Sequence, residues 1–291
     1  MIYIILTVTI SVFLLSIFKL FEKYTVNTFH AIIINYAAAA LTGYLFSENK
    51  IDFNLIDQTH WLWICLPLGF LFIAIFYLIS LTAQKISIAA ASVANKMSVV
   101  IPVLFSVIFI GEKLNALKVA GIALALIAVY FTNKRPTQEH HNTKHLLWLP
   151  VLVFIGSGLI DASINAAKIY LFTLPVHSEL FSIGTFVCAF FIGICILLFQ
   201  FIKQPKGPFK LELKSLLGGI LLGIPNYFSI FFIIKSLEAN VFTSAQLFPV
   251  LNISNVVLTA LIGFLAFKEK LSVQNIFGVA LAIISILLIA S

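Results

Sequence analysis

The sequence predicts an all-α integral membrane protein of about ten transmembrane helices, built as two inverted five-helix repeats. Three observations carry that prediction. Hydrophobic residues make up 61% of the 291-residue chain and charged ones 10%, whereas a soluble domain carries roughly 25% charge. Apolar stretches follow one another, many reaching the ~20 residues that cross a ~30 Å hydrocarbon core. Finally, the two halves of the chain end in the same pattern.

Apolar runs and their breakers place helices near 2–19, 28–46, 61–82, 88–110, 115–132, 146–170, 178–202, 214–235, 241–266 and 272–290. The first run, from Met1 to Phe18, has no basic leader and no small-residue cleavage site, so it is expected to be a retained helix rather than a signal peptide. A mean hydropathy of +1.10 leaves no room for a large soluble domain. Cys65, Cys188 and Cys195 all lie inside apolar runs, where cysteine acts as a small hydrophobe. The net charge of +7 comes from lysines spread among membrane-proximal loops, which points to topology and anionic lipid rather than to nucleic acid.

The polar segment Asn133–His145 divides the chain almost evenly. On either side, GEKLNALKVAGIALALIAV from Gly111 aligns without a gap on KEKLSVQNIFGVALAIISI from Lys268, which pairs Glu112 with Glu269 and Gly121 with Gly278. The same offset sets Asn95 opposite Asn252. A duplicated unit follows: a first repeat over 1–136, a linker over 137–145 and a second repeat over 146–291. Five crossings per repeat make the second copy enter the bilayer from the opposite face, an arrangement common in alternating-access carriers. Lysine and arginine concentrate at the odd-numbered connections, for example Lys23, Lys134, Arg135, Lys144, Lys206 and Lys210, against Lys50, Lys113, Lys118 and Lys235 at the even ones. That bias puts both termini outside.

Ten helices in two halves, each closing with E-K-L-[NS] before a Gly-containing helix, resemble the drug/metabolite transporter superfamily, and most closely its EamA-like branch. The resemblance covers nearly the whole chain. It implies a carrier with a central cavity between the halves, in a group whose members export amino acids, move sugars or nucleotide sugars, or exchange phosphorylated metabolites. The aromatic and Gly-rich signature common in the first helix of the family is absent, so the fold and the broad activity are what carry over.

Charged or amide side chains within a membrane helix cost about 2.5–3.5 kcal/mol on insertion scales for a central Lys or Asp, so they face a cavity or a partner. On the sixth predicted helix Ser157, Asp161, Asn165 and Lys168 share one stripe. Asp161 and Lys168 stand about 10 Å apart along the axis, so each needs a partner elsewhere. On the fourth, Ser92, Asn95 and Lys96 are neighbours near mid-depth, and Pro102 follows where it loosens the hydrogen-bond ladder. The ninth carries Gln246, Asn252, Asn255 and Thr259, and the eighth carries Gly218-Gly219, Gly223 and Pro225-Asn226-Tyr227. The candidate substrate-binding set is therefore Lys96, Asn95, Asp161, Asn165, Lys168, Asn226, Tyr227, Gln246 and Asn252. Interhelical hydrogen bonding for the asparagines, and a buried salt bridge for Asp161 with Lys96, are the structural alternatives.

Several other polar residues are expected to be structural. Lys19, Glu22 and Lys23 either line a cavity mouth or snorkel. Glu112 and Glu269 sit at tight turns before a helix, where a carboxylate satisfies amide donors. His141 and His145 are four apart, but they stand in a polar linker without a fuller ligand set, so no metal and no cofactor are expected. Gly121/Ala125 and Gly278/Ala282 favour close helix contact, either between helices five and ten or in a homodimer. No H-E-x-x-H or G-x-S-x-G motif is present, and no enzyme activity is expected. Two lysines against one acid favour an anionic or zwitterionic small molecule as cargo, with a possible proton coupled through Asp161. A hydrophobic or cationic drug as cargo, and a non-transporting assembly or receptor role, stay open at this level.

Overall fold

The structure is a computed structural model that describes residues 2–47, 62–105, 108, 115–133, 146–170, 175–203, 212–238, 244–269 and 272–290. Among these the chain is helical throughout, with no strand: α1 Ile2–Lys23, α2 Thr28–Phe46, α3 Leu62–Lys85, α4 Ile88–Met97, α5 Val100–Phe105, α6 Ala116–Asn133, α7 Trp148–Tyr170, α8 Pro175–Lys203, α9 Leu213–Glu238, α10 Ser244–Leu265 and α11 Val273–Ala290. Six helical stretches are long and apolar enough to cross a bilayer, with α4 and α5 together making one of them. This is an all-α membrane protein. The first copy of the E-K-L turn, including Glu112, and the linker with His141 and His145 lie outside the described residues.

The predicted fourth helix is two, α4 and α5, and the proline explains the break. Pro102 has no N–H to offer the Ser98 carbonyl four residues earlier. Ile101 N–H bonds that carbonyl instead, at 2.9 Å, in a tighter three-residue turn. Helix starts are set by polar caps. Asn27 Oδ1 accepts from His30 N–H, Ser87 Oγ from Ala90 N–H and Asn115 Oδ1 from Lys118 N–H. At α11, Ser272 Oγ accepts from Asn275 N–H while Asn275 Oδ1 accepts from Ser272 N–H, a reciprocal cap.

The described chain forms two compact units, and each draws on both halves of the sequence. The first comprises residues 1–20, 78–162 and 229–291. Its core joins Val93 and Met97 of α4, Val100 of α5, Ala125 and Val129 of α6, Val256 of α10, and Ala282, Ile286 and Ile289 of α11. A second cluster sets Ile4, Val8 and Val12 of α1 against Leu251 of α10. Helices α6 and α11 run antiparallel, since Asn275 Nδ2 donates to Phe131 O at one end and Ser285 Oγ to Gly121 O at the other. A Cβ on Gly121 would lie 2.7 Å from Ile289 Cγ1 and 2.9 Å from Ile289 N, so only glycine allows that approach. The small-residue pair at Gly121 is thus used inside the chain, between α6 and α11.

The second unit comprises residues 21–77 and 163–228. Tyr36 of α2 is buried among Phe72, Phe76 and Phe186, and its hydroxyl donates to Phe72 O at 2.8 Å. Helix α9 packs on α2 through its glycines: a Cβ on Gly223 would fall 2.5 Å from Asn35 O, and one on Gly219 2.6 Å from Ala31 O. That close seat is the use of the Gly-rich run read in the sequence.

Candidate functional site

Helix α4 is IAAASVANKM, and its alanines let neighbouring helices approach closely. Ile88 through Ala94, Met97 and Ser98 are all buried, whereas Asn95 and Lys96 are only half-buried. An amide and an ammonium in a membrane protein are costly in contact with lipid, which marks these two side chains as candidates for function.

The partner across from them is Asp161 of α7. Its carboxylate lies within electrostatic reach of Lys96 and beside the Ser98 hydroxyl. Ser98 Oγ donates its proton to the carbonyl of Asn95. Asp161 keeps an accessible surface. Helix α7 can bring the carboxylate this close because Gly158 sits directly against Ile101 of α5. On the same face one turn earlier, the buried hydroxyl of Ser157 has no partner, and neither does that of Ser92, one turn before Lys96.

Of the nine candidates, the structure therefore brings together Asn95, Lys96 and Asp161 within the first unit. Asn252 of α10 is half-buried in that unit too, next to the buried Asn255. Asn226 and Tyr227 belong to the second unit and are occupied with α2. Asn226 Nδ2 donates to Asn35 Oδ1 at 3.2 Å, and the Tyr227 ring covers Gly43. Asn165 and Lys168 lie on α7 and Gln246 on α10, but their side chains are outside the described residues. Sequence reasoning missed Ser98; its signal was the turn that Pro102 forces at Ser98–Val99, which aims a polar side chain from the end of α4.

Glu269 satisfies an amide donor, as its turn predicts, but at another helix from the one it precedes. Its Oε1 accepts from Ile88 N–H at 3.2 Å, at the start of α4, and pairs with Lys19 Nζ at 3.6 Å. Helix α11 is capped by Ser272 instead. The residue that caps in cis is thus the last of the E-K-L-[NS] pattern, as Asn115 also shows at α6.

Residues 1–134 match the EamA-like transporter family, part of the drug/metabolite transporter superfamily. Over those residues the chain is similar to members of that family. An uncharacterized protein of Haemophilus influenzae is 27% identical over 277 residues, covering 92% of this chain and 90% of its own length. A protein solved as a crystal structure superposes with a TM-score of 0.60 at 16% identity, over 98% of this chain and 97% of that one, which shows the fold. The helical architecture of the chain therefore has a counterpart along nearly its whole length.

Proposed function

We propose that this EamA-like protein is a carrier of the cell inner (plasma) membrane that exports a small polar metabolite, such as an amino acid or organic acid, by alternating access. The observation that carries the reading is the approach of Asp161 on α7 to Lys96 on α4, a helix whose other accessible polar side chain is Asn95. A substrate carboxylate meets Lys96, and Asn95 and Asn252 orient the rest of the molecule. The partnerless hydroxyls of Ser92 and Ser157 are further hydrogen-bonding groups on the same faces. Asn165, Lys168, Gln246, Asn226 and Tyr227 remain in the candidate set on the strength of their residue type within apolar helices. The antiparallel packing of α6 on α11, the matching helices of the two sequence halves, supports an inverted duplication of 1–136 and 146–291.

Proton coupling enters through Asp161. Ser98 already gives its proton to the Asn95 carbonyl, so a protonated Asp161 donates to Ser98 Oγ, while an ionised one competes with Asn95 for the Ser98 hydroxyl. Unchanged pH dependence of transport in Asp161→Asn would sink the coupling.

The test of the reading is thermal stabilisation of the purified protein across amino acids, organic acids, sugars, nucleotide sugars and lipophilic cations, repeated with Lys96→Ala. A ligand that binds the folded state must stabilise it, by about 2.7 kcal/mol at a hundredfold excess over Kd. A carboxylate-bearing hit lost in Lys96→Ala supports carrier and site together. Stabilisation by lipophilic cations alone overturns the substrate class, and silence across the panel favours a non-transporting role.

A further inference from the structure

Away from the Lys96–Asp161 site, one carboxylate joins three distant parts of the first unit. The turn after α10 folds back tightly: Ala266 N–H and Phe267 N–H both bond Ile262 O, Lys268 adopts a positive φ of 52°, and Glu269 N–H reaches Gly263 O at 2.9 Å. This throws the Glu269 side chain along α10, over Gly263, toward the first amide of α4. Oε1 receives Ile88 N–H and Lys19 Nζ. Lys19 Nζ also donates to Gln84 O at 3.1 Å, and Gln84 Nε2 donates to Phe18 O and to Ser80 Oγ, both at 3.0 Å. Helix α1, the start of α4 and the α10–α11 turn thus meet at one carboxyl group, and the end of α3 joins them through Lys19.

The two oxygens are unequal. Oε1 carries both partners, whereas Oε2 is buried with none, packed where a Cβ on Gly263 would lie 2.6 Å away. An ionised carboxylate spreads its charge over both oxygens, so half of that charge faces a site without a donor. A carboxylic acid keeps its acceptor at Oε1 and leaves only a neutral O–H at Oε2.

We propose that Glu269 is a proton-operated latch, holding α4 in the conformation seen here when it carries a proton and loosening it when it is ionised. Burial of the carboxyl pushes its pKa above the ordinary value, opposed by Lys19 and by the Ile88 amide. The sign follows from linkage: between a closed arrangement that binds the proton more tightly and an open one with the carboxyl in water, acid favours the closed one. Lys19 is the charge acting from α1. Lys85 ends α3, Lys268 adjoins Glu269 in its own turn, Lys96 lies at the far end of α4, and α10 and α11 carry no ionisable side chain.

The latch is read without any substrate, so its failure leaves the transport reading untouched. Hydrogen exchange of the amides in the first turn of α4 is followed from pH 8 down to the usual carboxylate range, corrected for intrinsic exchange. In the wild type, protection rises on acidification by up to about tenfold per pH unit, the limit for one linked proton. Glu269→Gln, a neutral isostere, holds high protection at every pH, and Lys19→Gln moves the rise to higher pH by removing the charge that favours ionisation. Gly263→Ala, which displaces Oε2, abolishes the rise and is the second variant should Glu269→Gln not fold. A flat wild-type profile, or a rise that survives in Glu269→Gln, overturns the latch.

Discussion

Lys96 and Asp161 stand within electrostatic reach of each other, and their removal, singly and together, separates a binding site from a brace. Breaking a fully buried ion pair costs about 3–5 kcal/mol, because the remaining charge is stranded. Here Lys96 is half-buried and Asp161 keeps an accessible surface, so water screens whichever charge is left, and Lys96→Met or Asp161→Asn should each cost about 1–2 kcal/mol. The double variant leaves no charge to strand, and its cost should fall below the sum of the two singles by at least about 0.5 kcal/mol. Thermal unfolding in detergent measures this, at about 2–4 °C per kcal/mol for a chain of a few hundred residues. The same samples are then scanned with the stabilising ligand. A binding lysine predicts that the double variant recovers unfolding temperature without recovering ligand stabilisation. Recovery of both would show that the pair merely holds α4 to α7, and additive singles would show that the two charges do not interact; either result refutes the site as argued.

Two glycines test how the helices pack. Gly121→Ala should cost about 1–3 kcal/mol and stay costly when combined with Ile289→Ala, since the backbone atoms Ile289 N and Ser285 O lie 2.9 and 3.0 Å from the new methyl. Gly193→Ala meets only side chains, Ile33 Cγ1 at 2.6 Å and Ile73 Cδ1 at 2.8 Å, so with Ile33→Ala it should show a favourable coupling of at least about 0.5 kcal/mol by unfolding midpoint. At the second E-K-L turn, Ser272→Ala removes the acceptor for Asn275 N–H and should lower stability by about 0.5–2 kcal/mol, with faster hydrogen exchange confined to the first turn of α11.

Much of this architecture was legible from hydropathy alone, because every helix satisfies its own backbone and the spans differ from their neighbours in composition. The break within the fourth span was announced by Pro102, which removes a donor whatever surrounds it. Close contact at Gly121 was legible as a possibility, but a small residue does not say which helix will use the space, and α11 had to be seen against it. Glu269 shows the limit more sharply. A carboxylate before a helix satisfies an amide, yet the amide it reaches belongs to a residue 181 positions earlier in the chain, and only the folded turn directs it there. The site divides in the same way: the cost of burying Lys96 and Asp161 marked both in the sequence, whereas Ser98 looked like any hydroxyl until the turn after α4 aimed it at Asp161.

Helix α4 carries both proposed features for one physical reason. Ten residues long and rich in alanine, it buries its backbone among neighbouring helices while contributing little side-chain volume of its own. Such a helix is held mainly by what happens at its ends. Its first amides are met by Ser87 and by Glu269, and its last turn is released by Pro102 and carries Lys96. Lys96 stands eight residues beyond Ile88, about 12 Å along the axis, so a shift of the whole helix at the Glu269 end moves the ammonium with respect to Asp161. If Glu269 acts as the proposed latch, its proton occupancy and the geometry at Lys96 and Asp161 are joined through one element. If α4 moves as a body, Glu269→Gln must change the pH dependence of ligand stabilisation even though the residue never touches the ligand; if ligand stabilisation follows the same pH profile in Glu269→Gln as in the wild type, α4 does not transmit the change.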